Sequence, residues 1–261
     1  LMRTGPRWGT LFELNLPQNN TLIHLDCDGN RLFNLDLTQN SALNYLRCGW
    51  NNNFIGGLDS LNTSQNPNLN YLNCIYSGIE NLFLGQNITL TNLDCSYNNI
   101  STLDVSQNIA LRHLYCSYNN LSFLDVSQNS VLTQFLCSNN NLTSLDLRNG
   151  NNVNFNNGNN ISYPAFDASN NDSLFCISVD DSSWSANNWS AAIDSQTVFS
   201  NDCNPSSVDI IENLNIIVIY PNPTKENITI SINNYNENII TEVFDLIGNR
   251  LQITNENIIN L

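Results

Sequence analysis

Apolar residues recur along this chain in a phase kept over most of its length. One stretch reads Leu90-x-x-Leu93-x-Cys95-x-x-Asn98-x-Ile100-x-x-Leu103-Asp104-Val105. The next coil repeats it slot for slot, with Leu111, Leu114, Cys116, Asn119, Leu121, Leu124 and Val126. Leu93 and Cys95 alternate with polar residues, which places both on one face of a short strand. Asn98 follows where the chain must turn, and its amide can satisfy backbone groups inside the bend. Ile100, Leu103 and Val105 then point back into the same core from the far side. One such coil cannot hide its apolar face alone, whereas stacked coils can, with their strands about 4.8 Å apart in a parallel sheet.

Aligned on cysteine, the coils carry Cys27, Cys48, Cys74, Cys95, Cys116 and Cys137, evenly spaced except for one longer step between Cys48 and Cys74. The leading leucines Leu22, Leu43, Leu69, Leu90, Leu111 and Leu132 keep the same phase. The unit L-x-x-L-x-[L/C]-x-x-N-x-L, whose length falls inside the range of roughly 20–29 residues, resembles the leucine-rich repeat. The expected fold is therefore mostly β: a leucine-rich-repeat solenoid with a parallel sheet on its concave face. Leu11, Leu14, Leu16 and Asn19 form the back half of an earlier coil. The extra residues around Phe54–Gly57 predict a loop after the second full strand. Ser77 stands where the repeat Asn is expected. The pattern decays after Leu147, and Phe166 and Leu174 return one repeat length after Leu145 and Val153.

Residues 11–175 resemble bacterial leucine-rich repeats in which Cys replaces one core Leu, as in internalin-like surface proteins and repeat proteins of the Bacteroidetes group. Units such as Leu124-Asp125-Val126-Ser127-Gln128-Asn129 carry the latter likeness. The segment from Leu174 through Trp184, Trp189 and Cys203 is similar to the one that ends these solenoids. Further on, Tyr220-Pro221-Asn222-Pro223 precedes the alternating run Ile228-x-Ile230-x-Ile232, then Val243 to Asn249. This resembles the start of the C-terminal sorting domain of type IX secretion, a small β-sandwich. The resemblance implies export from a Gram-negative bacterium, to the outside or to the outer surface, by the type IX machinery. The domains expected are the solenoid at 1–175, a cap segment at 176–205, a linker at 206–213 and a truncated sorting domain at 214–261. The chain starts at Leu1 with no visible signal peptide, and the family's last strand and basic end do not follow Leu261. A piece of a longer protein is therefore expected.

Charge narrows the partners. Acids outnumber bases 23 to 8, for a formal net charge of −15. Such a surface repels phosphate backbones and anionic lipid, and no apolar run reaches the ~18 residues of a membrane helix. Neither nucleic acid nor a membrane span is expected. The 53 Asn recur in phase with Leu, which reads as many tight turns rather than disorder.

The chemistry-bearing residues point away from catalysis. The six ladder cysteines lack the short C-x-x-C spacing of a zinc site and read as compact core residues and free thiols. Cys176 and Cys203 lie outside the ladder, and in an exported protein they could close a cap disulfide. His24 and His113 both face outward but sit four coils apart, roughly 19 Å at the strand spacing, too far to share one site. Asp36, Asp104, Asp125 and Asp146 form a one-sided column, not a facing pair as in a glycosidase, and read as turn caps. No catalytic, metal or cofactor motif is found, so the chain is not expected to be an enzyme.

Outward strand positions hold the clue to function. The slot before the repeat Asn reads Gly29, Trp50, Tyr76, Tyr97, Tyr118 and Asn139. Tyr45, Tyr71 and Tyr115 lie on the strands beside it. Together these seven aromatics predict a continuous strip on the concave face, edged by Asp26, Arg47, Asn73 and Asp94. Such a strip either stacks to stabilise the sheet or binds a protein or glycan ligand. The expected function is a secreted or surface binding and adhesion module. An accessory region of an extracellular enzyme and a structural spacer are the alternatives.

Overall fold

A computed structural model describes residues 9–51, 57–155 and 164–203, with four short strands within 228–259. The chain forms two units, Leu1–Cys203 and Asn204–Leu261. In the first unit ten three-residue strands come in order: β1 (His24–Asp26), β2 (Tyr45–Arg47), β3 (Ser60–Asn62), β4 (Tyr71–Asn73), β5 (Asn81–Phe83), β6 (Asn92–Asp94), β7 (His113–Tyr115), β8 (Phe123–Asp125), β9 (Gln134–Leu136) and β10 (Ser144–Asp146). They are followed by β11 (Phe166–Asp167), β12 (Cys176–Ser178), helix α1 (Ser182–Trp189) and β13 (Val198–Ser200).

The leucine phase sets the sheet. β1, β2, β4, β6, β7, β9 and β11 join in that order into one parallel sheet. Their central residues pair in register as Leu25, Leu46, Leu72, Leu93, Leu114, Phe135 and Phe166. Each is buried, and its flanking residues face out, as strand alternation requires. This is the leucine-rich-repeat solenoid, with the long sheet on the expected concave face. On the opposite side β3 pairs with β5, and β8, β10, β12 and β13 form a second parallel sheet. Ile100, Leu103 and Val105 are buried between them as the spacing predicts, although their coil contributes no strand there.

Asparagine holds the coils together. The Asn98 amide donates to the carbonyls of Cys74, at 3.0 Å, and of Cys95, at 2.9 Å, and its Oδ1 accepts from the backbone N–H of Ser77 and Ile79. Asn119 and Asn140 repeat the pattern one and two coils on. Ser77 fills the Asn position of its own coil, and its hydroxyl donates to the Cys48 carbonyl. These bonds satisfy backbone groups that a buried turn would otherwise strand. Asp36, Asp104, Asp125 and Asp146 each accept from the N–H two residues on, which closes the far-side turns.

One reading of phase is corrected. Phe166 does not continue the position of Leu145. It pairs with Phe135 on the long sheet, and Leu145 pairs with Ile177 on the other. An insertion between Cys137 and Ala168 makes this coil longer than its neighbours, and Ala168 occupies the ladder position of cysteine. Asn171 confirms the register, donating to the carbonyls of Cys137 and Ala168 and accepting from Leu142 N–H. The sequence from Cys176 onward therefore completes the solenoid's far side as strands β12 and β13.

Aromatic rings close this end. Trp189 is buried, with ring centroids 4.6 Å from Phe166, 5.2 Å from Phe155 and 5.2 Å from Trp184. Asp181 caps α1 by accepting from Trp184 N–H. Cys176 and Cys203 are joined by a disulfide, with Cα atoms 5.9 Å apart. The six ladder cysteines are free and buried. In the second unit, β14 (Ile228–Thr229) pairs antiparallel with β17 (Ile258–Ile259), and β15 (Thr241–Phe244) with β16 (Arg250–Thr254). The expected loop at 54–56 and the Tyr220-Pro221-Asn222-Pro223 motif lie outside the described residues.

Candidate functional site

The outward face of the long sheet is built from slots that repeat once per coil. The first strand position carries His24, Tyr45, Tyr71, Asn92, His113 and Gln134 in register. The third carries Asp26, Arg47, Asn73, Asp94, Tyr115, Leu136 and Asp167. Beyond the strand, the turn carries Gly29, Trp50, Tyr76, Tyr97, Tyr118, Asn139 and Asn170.

That last slot is a turn, where the alternation predicted a strand position. Its backbone is left-handed in every coil: φ is +68° at Gly29, +55° at Trp50 and Tyr76, +56° at Tyr97 and Asn170, and +57° at Tyr118 and Asn139. Glycine and asparagine adopt this region at little cost. A bulky aromatic does so against a penalty of about 1–3 kcal/mol. Four successive coils nevertheless use Trp or Tyr there, each exposed by 43–46%.

The seven aromatics do not merge into the continuous strip expected. Six of them form two ladders. At the turn, Trp50 stacks on Tyr76 at 4.9 Å, Tyr76 lies 5.8 Å from Tyr97, and Tyr97 stacks on Tyr118 at 4.2 Å. At the strand start, His24 stacks on Tyr45 at 4.2 Å and Tyr45 on Tyr71 at 4.4 Å. Tyr45 opens β2, and Trp50 stands in the turn three residues past that strand's last residue, Arg47. Tyr115 stands in the third strand slot, with its ring centroid 6.4 Å from that of His113. It is half-buried, with its hydroxyl donating to Gln134 Oε1 at 2.5 Å. His113 likewise stands apart from His24, with its Nδ1 2.6 Å from Asn92 Nδ2.

Between the ladders runs a polar floor. Arg47 pairs with Asp26 at 3.5 Å and closely with Asp28. Asp94 accepts from Ser96 N–H at 3.1 Å and from Asn73 Nδ2 at 3.2 Å. Burial raises the carboxyl pKa of both Asp28 and Asp94 above the ordinary value, against the neighbours that lower it. Asp167 adds a fourth carboxylate, bonded to the Ser169 N–H and hydroxyl. Arg47 is the one cation among the described residues of the floor. The thiols beneath take no part: burial, helped by Asp28 and Asp26, pushes the Cys27 thiol up to about 12, and burial pushes the deeper ladder thiols well above the ordinary value. Among the described residues, no group of three His, Cys, Asp or Glu is placed to hold a metal ion.

Sequence reasoning found the aromatics but missed their turn. The signal was present in the slot itself, since Gly29, Asn139 and Asn170 are the residues a left-handed turn favours.

No curated protein matches the chain. Among solved structures, the functional domain of InlJ from Listeria monocytogenes, described as including a cysteine ladder, is 30% identical over 65% of this chain, with a TM-score of 0.43. The chain spans 43% of that structure's length. No helix among the described residues is long and apolar enough to cross a membrane. Residues 218–260 match the family model of the secretion system C-terminal sorting domain, a span that contains the Tyr220-Pro221-Asn222-Pro223 motif. The chain therefore carries a type IX sorting domain after its cysteine-ladder repeats, and the protein is one exported to the cell surface or beyond.

Proposed function

We propose that the solenoid is a non-catalytic binding or adhesion module that engages its ligand with the outward face of the long sheet. One observation carries this reading: four successive coils place Trp50, Tyr76, Tyr97 and Tyr118 on left-handed backbone that other coils fill with Gly or Asn. Local preference opposes these residues, and strained positions that persist against it mark functional surfaces. Tyrosine and tryptophan also supply large contact area with a polar tip, the chemistry of interface hot spots. Delivery outside the cell supports the same reading, because there the exposed ladder meets partners rather than cytosol.

The competing reading is a spacer in which the rings serve only to stack. A glycan array and a panel of extracellular proteins, probed with the full chain and with Trp50→Ala and Tyr97→Ala, separates the two. A ligand lost in both variants, with the solenoid still folded, is the expected result. Ligands unaffected by either variant, or absent altogether, would leave the spacer.

A further inference from the structure

Resting on that binding role, we infer that the long sheet receives an extended basic segment of a partner protein, laid across the strands between the two aromatic ladders. Three observations select this occupant. First, the ladder rings stack on one another, with planes within 10° for Tyr97 and Tyr118 and 20° for Trp50 and Tyr76. Each ring has one face covered by its stacked partner, and Tyr76 meets Tyr97 tilted by 40° at 5.8 Å, so the ladder offers mainly edges and hydroxyls rather than the open faces on which sugar rings stack. Second, the floor holds Asp26, Asp28, Asp94 and Asp167 against the single guanidinium of Arg47. Arg47 itself shows what this floor accepts, since it is clasped by two of those carboxylates. Asp28 and Asp94 keep raised pKa values because burial outweighs their present partners, and an incoming cation supplies the missing compensation. Third, the shape is a band. Seven strands at about 4.8 Å span roughly 29 Å, the length of about nine extended residues, and the two ladders flank the band together at the coils of Tyr45 with Trp50 and of Tyr71 with Tyr76.

Asp94→Asn removes a floor charge, and Tyr97→Ala breaks one wall. The double variant Asp104→Asn, Asp125→Asn removes two acids from the opposite side and controls for the general pull of a chain of net charge −15. The probe is a labelled nine-residue peptide alternating arginine and serine, titrated into the chain of residues 1–261 by fluorescence anisotropy. A matched glutamate–serine peptide and a neutral hexasaccharide are run beside it. Circular dichroism checks the fold of each variant. The expected result is binding of the arginine peptide alone, weakened at least about fivefold by Asp94→Asn and by Tyr97→Ala and changed less than about twofold by the far-side pair. Equal weakening by both sets of acid variants, or no binding of the arginine peptide, overturns the inference. A hexasaccharide that binds and is lost with Tyr97→Ala discards the basic segment while keeping the binding face. Silence from every probe, joined to an array with no ligand sensitive to Trp50→Ala or Tyr97→Ala, removes both.

Discussion

Tyr97 and Tyr118 stack with ring centroids 4.2 Å apart and planes within 10°, and both stand on left-handed backbone. Two energies therefore oppose each other at every rung. Stacking contributes about 0.5–1.5 kcal/mol per pair, and the backbone costs about 1–3 kcal/mol per residue. Replacing Tyr97 by glycine loses the first and relieves the second. Tyr97→Gly is expected to change the melting temperature by only a few degrees while abolishing ligand capture, and thermal denaturation beside a binding assay reads both. A large loss of stability would make the rings structural.

Leu93 and Leu114 lie side by side in register on β6 and β7, both buried in the core. Leu93→Ala or Leu114→Ala is expected to cost about 2–5 kcal/mol. An unchanged midpoint in urea would contradict the register.

Asn119 serves two stacked cysteine carbonyls and the Ile100 N–H at once. Each buried group left without a partner costs about 1–3 kcal/mol, so Asn119→Ala is expected to lose about 3 kcal/mol or more. That places it with the core leucines, unlike an exposed asparagine such as Asn120. Parallel urea titrations of the two variants check the contrast.

These central features were legible in the sequence because they recur from coil to coil at a fixed step, so Leu93, Cys95 and Asn98 could be read against their counterparts on either side. The coil around Phe166 was not, for two reasons. Its insertion breaks the count, and Ala168 removes the cysteine that marked each repeat. Yet Phe166-Asp167-Ala168-Ser169-Asn170-Asn171 copies Leu93-Asp94-Cys95-Ser96-Tyr97-Asn98 position by position. The split into two ladders was hidden more deeply. A repeat pattern shows which residues share a slot, but not that the slot of Tyr97 lies past the strand while that of Tyr71 begins it.

The ladder thiols are expected to be silent. With Cys27 at about 12 and the others raised well above the ordinary value, the thiolate that reacts is scarce at neutral pH, and burial blocks access. Alkylation of the native protein followed by mass spectrometry should leave all six unmodified. In denaturant all six should react, with Cys176 and Cys203 joining them only after reduction. Ready labelling of Cys95 or Cys116 in the native state would refute the stacked core.

Asp94 gives stability a pH dependence of definite sign. Its folded pKa is raised by burial, so its favourable contribution is complete below the unfolded pKa and is lost as pH rises through the folded one. Asp94→Asn is expected to melt at or above the parent temperature at pH 7, and the gap should narrow as the pH falls into the carboxylate range. A gap that widens on acidification would reverse the assignment.

The Cys176–Cys203 bond ties the start of β12 to the last described residue of the solenoid unit. Solenoids fray from their ends, because the terminal coil has a neighbour on one side only. Here the outermost turn cannot peel away without breaking a covalent link. Whatever befalls the polypeptide after residue 203, proteolytic trimming included, the repeats behind it keep a sealed terminus in the oxidising surroundings to which the sorting domain sends them.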